Sequence, residues 1–561
     1  MKAKALQRTP LLAALMLALG TSSAWAGDRC ETLSGSSAPG NNALACGSGS
    51  QATGANSTAV GTSSRATDED AAAFGHLANA AGFHSTALGT QASATGRGAT
   101  ALGWRSSASG SLSTATGNDA VASGDNSTAN GRAAQATGAN STAVGQGAVA
   151  SDEDAVAIGQ TAVASGFHST ALGAQAAATG RGATALGWQS VASGSLSTAT
   201  GNAAVASGAN STANGRAAQA TGDDSTAVGQ GAIASGARTT AVGQGAVASD
   251  EEATAVGQAA SATGFHSTAV GALADASGRG GTALGWQSSA TGSLSTATGN
   301  NAVASGANST ANGRAAQATA ENSTAIGQGA VASDADALAV GQGAQSTGFH
   351  SSAVGTQSVA SGVGATATGW QASAAGNLST ANGNRANASG SSATAVGRAA
   401  TASGGNSVAL GANSSATAEN SVAIGNNSVA DRASTVSVGS AGNARQITNV
   451  AAGSQATDAV NFGQFRTEID FLQNTLDRRF TETNQRIDEV AALGAAMTTM
   501  VGSAAGISQE NRLAVGAGFA GGESALAIGY QRAFNDNMTL TFGGAFTSDE
   551  AQAGIGFGFG W

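Results

Sequence analysis

Along most of this chain, short runs that alternate small and larger side chains are closed by glycine at a fixed interval. Ser57-Thr58-Ala59-Val60-Gly61 sets the type, and its closing glycine returns at every fourteenth position from Gly47 to Gly439 without a slip. Two places before that glycine stands Ala in every copy but the last, where it is Ser437. The unit that ends at Gly145 contains two such runs, residues 134–138 and 141–145. Strand side chains alternate faces, so Thr142 and Val144 share one face and Ala143 takes the other. A period held this long predicts a solenoid with two strands per turn. At about 4.8 Å per stacked turn, the array over residues 47–439 would be a rod on the order of 140 Å long.

The two faces carry further expectations. Thr on the Val face (Thr86, Thr100, Thr114, Thr128, Thr142) reads as core, since Thr is a good strand residue. The near-uniform Ala face reads as the place where a second coil packs closely, which predicts an oligomeric rod. Glycines half a period apart supply corner freedom. Where the midpoint is Asp instead (Asp68, Asp152, Asp250, Asp334), its tolerance of left-handed geometry is expected to serve the same end.

The pattern changes period twice after Gly439. Phe465, Ile469, Leu472, Leu476, Phe480, Thr483, Ile487 and Val490 follow one another at steps of three and four, a coiled-coil seam with one extra four-step near Leu476. Beyond position 510 the period becomes two. Leu513, Val515 and Phe519, then Leu526, Ile528 and Tyr530, then Leu540 and Phe542, then Ile555, Phe557, Phe559 and Trp561 mark four strands of about ten residues with an apolar, membrane-facing side. Four strands cannot close a membrane barrel, for which about eight is the minimum, and an open edge in lipid is not allowed. Several chains must contribute, and three would give twelve strands. The Ala-rich stretch 491–505 is then a candidate for helices in the lumen.

Composition and the N-terminus narrow the class. With Gly 83 and Pro 2 in 561 residues and no glycine at every third position, collagen is excluded. Aromatics at 4% and charged residues at 10% predict a thin core of Ala, Val, Leu and Thr. Lys2, Lys4 and Arg8, the apolar stretch 11–19 and Ala24-Trp25-Ala26 form a secretion signal over residues 1–26. Removing those three cations takes the formal charge from −10 to −13 and leaves no lysine. An acidic chain without basic clusters argues against nucleic acid as a partner. Cys30 and Cys46, the only cysteines, lie in the exported part, and an oxidising compartment predicts a disulfide closing a cap over residues 27–46.

A longer period carries the candidate binding residues. Phe83-His84, Phe167-His168, Phe265-His266 and Phe349-His350 recur at intervals of six, seven and six turns, as do Trp104, Trp188, Trp286 and Trp370. They are corner packing residues or ligand contacts, since exposed aromatics make good binding anchors. The runs Asp68-Glu69-Asp70 and Asp152-Glu153-Asp154 read as solvated turns, without calcium-ligand spacing. Polar residues repeat with the units rather than standing singly, so no catalytic constellation, metal site or cofactor is expected and the protein is read as no enzyme.

Taken together, the layout resembles the trimeric autotransporter adhesins, the YadA-like family of Gram-negative bacteria. The carriers are the head units, of which Asn420-Ser421-Val422-Ala423-Ile424-Gly425 is nearly the family form, the neck over residues 440–464, and the four-strand end closing on Trp561. The resemblance implies a mainly β homotrimer: a left-handed parallel β-roll head (47–439), a coiled-coil stalk (465–495) and a twelve-stranded outer-membrane barrel (496–561). It further implies type V secretion with help from the barrel-assembly machinery, a head exposed on the cell surface, and adhesion to host surfaces or matrix proteins such as collagen, often with autoaggregation. A purely structural, self-associating surface fibre is the alternative.

Overall fold

A computed structural model of the chain describes residues 28–29, 35–479 and the strand segments 511–520, 523–535, 538–547 and 551–559. The chain falls into two compact units, Met1–Ala444 and Arg445–Trp561.

In the first unit each turn supplies a three-residue strand such as Thr142–Val144 and a two-residue strand such as Val149–Ala150. The three-residue strands stack in parallel (Thr142↔Val156, Ala143↔Ala157, Val144↔Ile158), and the two-residue strands stack into a second sheet (Val149↔Val163, Ala150↔Ala164). Ladder partners lie one sequence period apart, so the sequence period is the stacking period. The winding starts ahead of Gly47: Asp28 pairs with Leu44, Arg29 pairs with Ala45, and Ser37 bridges Gln51. One residue beyond this pairing is Cys46, which is disulfide-bonded; Cys30 lies outside the described residues.

The core reverses the expected assignment of faces. Among the described residues every buried hydrophobic side chain is an alanine, and the largest fully buried side chain is that of Thr239. Within one turn the interior is Ser57, Ala59, Ser64 and Ala66, whereas Thr58 and Val60 stand on the outer face, half-buried. So short a turn brings its two sheets closer together than the roughly 10 Å that larger side chains need between sheets. Only a methyl or hydroxymethyl fits. Ala therefore fills the coil's own lumen and does not mark the contact with a second coil, and the Thr ladder is not core.

Corners are held by the backbone. The Ser57 and Ser113 hydroxyls each donate to the glycine carbonyl three residues back, at 2.7 Å. The hydroxyls of Ser127 and Ser141 have no such partner, and Ala71 or Ala99 serves at the same position elsewhere. The third corner residue is left-handed whatever its type, for example His84 (φ 56) and Arg105 (φ 57). Its N–H continues the ladder, His84 to the Glu69 carbonyl and Arg105 to the Thr90 carbonyl, both at 2.9 Å. These lateral bonds offset a left-handed cost of roughly 1–2 kcal/mol per residue.

The midpoint Asp has a different role from the one expected. Asp70, not Asp68, is the left-handed residue of its corner (φ 52), and the Asp68 carboxylate accepts from the Glu69 N–H at 2.8 Å. Midpoint glycine answers a close approach instead: a Cβ on Gly96 would lie 1.8 Å from the Gly110 carbonyl oxygen.

The second unit opens with a neck locked onto a helix. Asn461 Oδ1 accepts from the Gln464 N–H at 2.8 Å, and Gln464 Oε1 accepts from the Asn461 N–H at 3.3 Å. This is a reciprocal capping box. Gln464 also grips Gly453, accepting from its N–H at 2.8 Å and donating to its carbonyl at 2.9 Å. The helix covers 462–479, as far as it is described. Phe465, Ile469 and Leu472 of the expected seam are exposed on it, as a helix that needs partner helices would leave them. Phe480, Thr483, Ile487, Val490 and the 491–505 stretch lie outside the described residues.

Four antiparallel strands, Asn511–Ala520, Glu523–Asn535, Met538–Thr547 and Ala551–Phe559, form a meander in chain order. Register pairs Leu513 with Tyr530, Val515 with Ile528, Tyr530 with Phe542 and Phe542 with Ile555. Leu526, Leu540, Phe519, Phe557 and Phe559 fall at register positions of the same face. Leu526 and Phe557 are exposed there. Trp561 lies outside the described residues.

Candidate functional site

Stacking places residues one sequence period apart in adjacent layers of the same corner, and this unites motifs that look unrelated along the chain. At one corner, His84 Nε2 lies 2.9 Å from Asp70 Oδ2 and the His84 ring stacks on Phe83 at 3.8 Å. One layer further, the Arg97 guanidinium sits over the Phe83 ring at 5.6 Å. The arrangement returns as His168–Asp154 with Phe167 and Arg181, and as His266–Glu252 with Phe265 and Arg279. In the third copy Arg238 adds ion pairs to Glu251 and Glu252. The fourth copy keeps His350–Asp336 at 3.0 Å, but its Phe349 ring is tilted by 44° and Val363 stands in place of the arginine.

The opposite corner carries the tryptophans. Trp104, Trp188, Trp286 and Trp370 follow the closing glycine and are 39–48% exposed. Arg105 lies over Trp104 at 4.9 Å and pairs with Asp119, and Arg385 lies over Trp370 at 4.5 Å. Gln189 and Gln371, which follow their tryptophans, donate to Gln175 and Gln357 at 2.8 Å. None of these four indoles is packed into the interior of its coil.

Both sets of aromatics are therefore surface residues, and the two sets sit at opposite ends of the three-residue strand. The acidic runs are more than solvated turns, because each supplies the carboxylate for the histidine one layer on. The arginines over the phenylalanines are not among the residues that the longer period singles out. The sequence does carry their signal, since Arg97, Arg181 and Arg279 each stand one period after a Phe of the set.

A third outer feature runs along the three-residue sheet. The residue just before each closing glycine forms a column, and Leu88, Leu102, Ile158 and Leu172 in it are exposed. A largely apolar stripe of this kind marks an interaction surface.

Comparison with known proteins agrees with the three-part layout. The YadA head domain repeat matches a tiled series of stretches between residues 38 and 440, the coiled stalk of trimeric autotransporter adhesin matches 446–488, and the YadA-like membrane anchor domain matches 504–561. No curated protein matches the chain. Among solved structures, the crystal structure of the collagen-binding domain of the Yersinia adhesin YadA is 25% identical, covering 45% of this chain and 85% of that chain, with a TM-score of 0.12. That score adds nothing to the fold described above. Head repeats, stalk and anchor in this order account for nearly the whole described chain, which belongs to the YadA-like family of trimeric autotransporter adhesins.

Proposed function

We infer that the head attaches the cell to host surfaces or extracellular matrix through its corner aromatics, the exposed tryptophans above all, each set repeated four times per chain. The observation that carries this is the exposure of all four tryptophans at equivalent corners, with no packing role inside the coil. A desolvated Trp anchor is worth roughly 2 kcal/mol or more in an interface. Twelve copies in a trimer can turn weak contacts into firm attachment, because every contact after the first is effectively intramolecular.

The other parts serve that head. Three coils meet through the outer face of the three-residue sheet, which carries the apolar column. Three four-stranded segments close one outer-membrane barrel, assembled with the barrel-assembly machinery, through which the chain is exported. Cys30 and Cys46 pair to close the tip.

The test is display on a non-adherent bacterium, with attachment measured on immobilised collagen, other matrix proteins and cultured cells. Replacing Trp104, Trp188, Trp286 and Trp370 together by Ala should lower attachment at least tenfold at equal surface display. Unchanged attachment would remove the tryptophans from the reading. If attachment also survives deletion of residues 47–439, the head is not the adhesive part. Clumping of the cells without attachment to any of these surfaces would favour a self-associating fibre.

A further inference from the structure

The outer column along the three-residue sheet is apolar except at four places. There it reads Thr116-then-Asn130, Thr200-then-Asn214, Thr298-then-Asn312 and Thr368-then-Asn382, each pair stacked in adjacent layers. All four asparagines are exposed on the single coil. Asn is a poor strand residue, and while the backbone carbonyls of these four join the ladder, their carboxamides make no hydrogen bond within their own chain among the described residues. Corner asparagines pair one layer away, Asn126 with Asn140 at 3.1 Å and Asn308 with Asn322 at 3.2 Å. By contrast, the column asparagines lie between Thr and Val or Ile.

The spacing of the four is the informative part. Asn130, Asn214, Asn312 and Asn382 follow one another at intervals of six, seven and five turns. Repeat duplication alone would give the six, seven and six of the tryptophans; the fourth pair is displaced by one turn. As a result, no two of the six possible separations among the four asparagines are equal.

A trimer of nearly identical turns has a register problem. Sliding one coil by a whole turn, about 4.8 Å, sets Val against Leu or Ile and changes little. We propose that the four column asparagines fix the axial register of the three coils, the partners being two further copies of this chain. In register, three carboxamides meet in each layer, and each has donors and an acceptor to offer the others. With unequal spacing, a slip of any number of turns keeps at most one of the four layers matched. The other asparagines then face apolar side chains and lose their partners. A single polar residue in an apolar seam sets register in the same way in coiled coils, at some cost in stability.

This rests on the reading that the outer face of the three-residue sheet joins the coils. Both can be tested on the full-length displayed protein by oxidative crosslinking. A chain with Val144→Cys should crosslink to its own copies, whereas Val149→Cys on the other sheet should not. The reverse result would overturn the interface and leave the asparagines without a role. Two differently tagged chains, one with Val144→Cys and one with Ile158→Cys, report a one-turn slip. Their mixed crosslink should be at least tenfold weaker than the Val144→Cys self-crosslink. Replacing all four asparagines by Val should raise the mixed product at least fivefold while leaving trimers resistant to SDS. If the Val144→Cys self-crosslink forms but the mixed product stays low in the four-Val variant, register is held elsewhere and the proposal fails. Loss of SDS-resistant trimers in that variant would also overturn it, since the asparagines would then supply stability rather than register.

Discussion

Alanine at the inward position of nearly every head strand is the residue on which the head depends, because the lumen of so short a turn has no room for more. The contrast between neighbours on one strand tests this. Ala136 is fully buried and Gln135, beside it, is exposed. Ala136→Leu should destabilise the head by about 1–3 kcal/mol through overpacking, and Gln135→Leu should leave it nearly unchanged, as read by thermal unfolding of the purified trimer. Equal effects would mean that the lumen is not where the burial places it. Asp275 gives a second residue-scale test, for it sits on the two-residue sheet between Ser261 and Ser289. Burial raises its pKa from the ordinary carboxylate value, and a bond with Ser277 lowers it in part. With a raised folded pKa, stability falls as pH rises from the unfolded value through the folded one, and the penalty is complete above the latter. Asp275→Ser should therefore raise the melting temperature at pH 7 and change it little near pH 3. A gain of the same size at both pH values would rule out burial of the charge as its source.

At the scale of elements, the start of the stalk helix hangs on two side chains. Asn461 caps the helix and holds the Val450 carbonyl at 2.9 Å, while Gln464 completes the capping box and grips Gly453. Asn461→Ala should cost roughly 0.5–2 kcal/mol at this junction. Gln464→Ala should loosen the neck around Gly453 as well as the helix start. Hydrogen exchange across 450–470 would show this as faster exchange at the Gly453 amide in the Gln464 variant; protection unchanged there would mean the neck is held by something else. This junction is only partly legible in the sequence. Residues 445–464 stand out as a segment between two periods, but the Asn461–Gln464 reciprocity depends on a turn whose geometry no periodicity reveals. The head differs: its period dictates strands, stacking distance and corners, yet not which face lies inside. Thr-Ala-Val alternates in the same way whichever face is buried, and choosing the larger side chains for the core fails because the lumen is one methyl deep. The corner stations are half legible for a related reason, since Asp70, His84 and Arg97 look unrelated until residues one period apart are placed one layer apart.

For the whole molecule, the deciding feature is that, among the described residues, neither edge of the C-terminal meander has a further partner strand. Among the described residues, Asn511–Ala520 pairs only with Glu523–Asn535, and Ala551–Phe559 only with Met538–Thr547. Each chain thus brings one open first edge and one open fourth edge, and the hydrocarbon of a bilayer tolerates neither. An even number of strands makes the remedy uniform: the first strand of one chain can lie antiparallel to the fourth of the next, just as the strands within a chain do. Such a head-to-tail contact closes into a ring when the rotation permits, and three chains reach twelve strands, above the minimum of about eight. The alternation that puts Leu513 and Phe557 on one face puts Ala514 and Gly556 on the other, so a cysteine pair on that second face can report the joint. Ala514→Cys combined in turn with Gly554→Cys, Gly556→Cys or Gly558→Cys should give, for the combination in register, a covalent trimer on a non-reducing gel that reductant returns to monomer. A covalent dimer as the end product would speak for a two-fold contact, and a crosslinked monomer would mean that the four strands close on themselves. Either would end the three-chain barrel, because a three-fold head-to-tail ring joins each first strand to the next chain's fourth and so holds three chains in one covalent product.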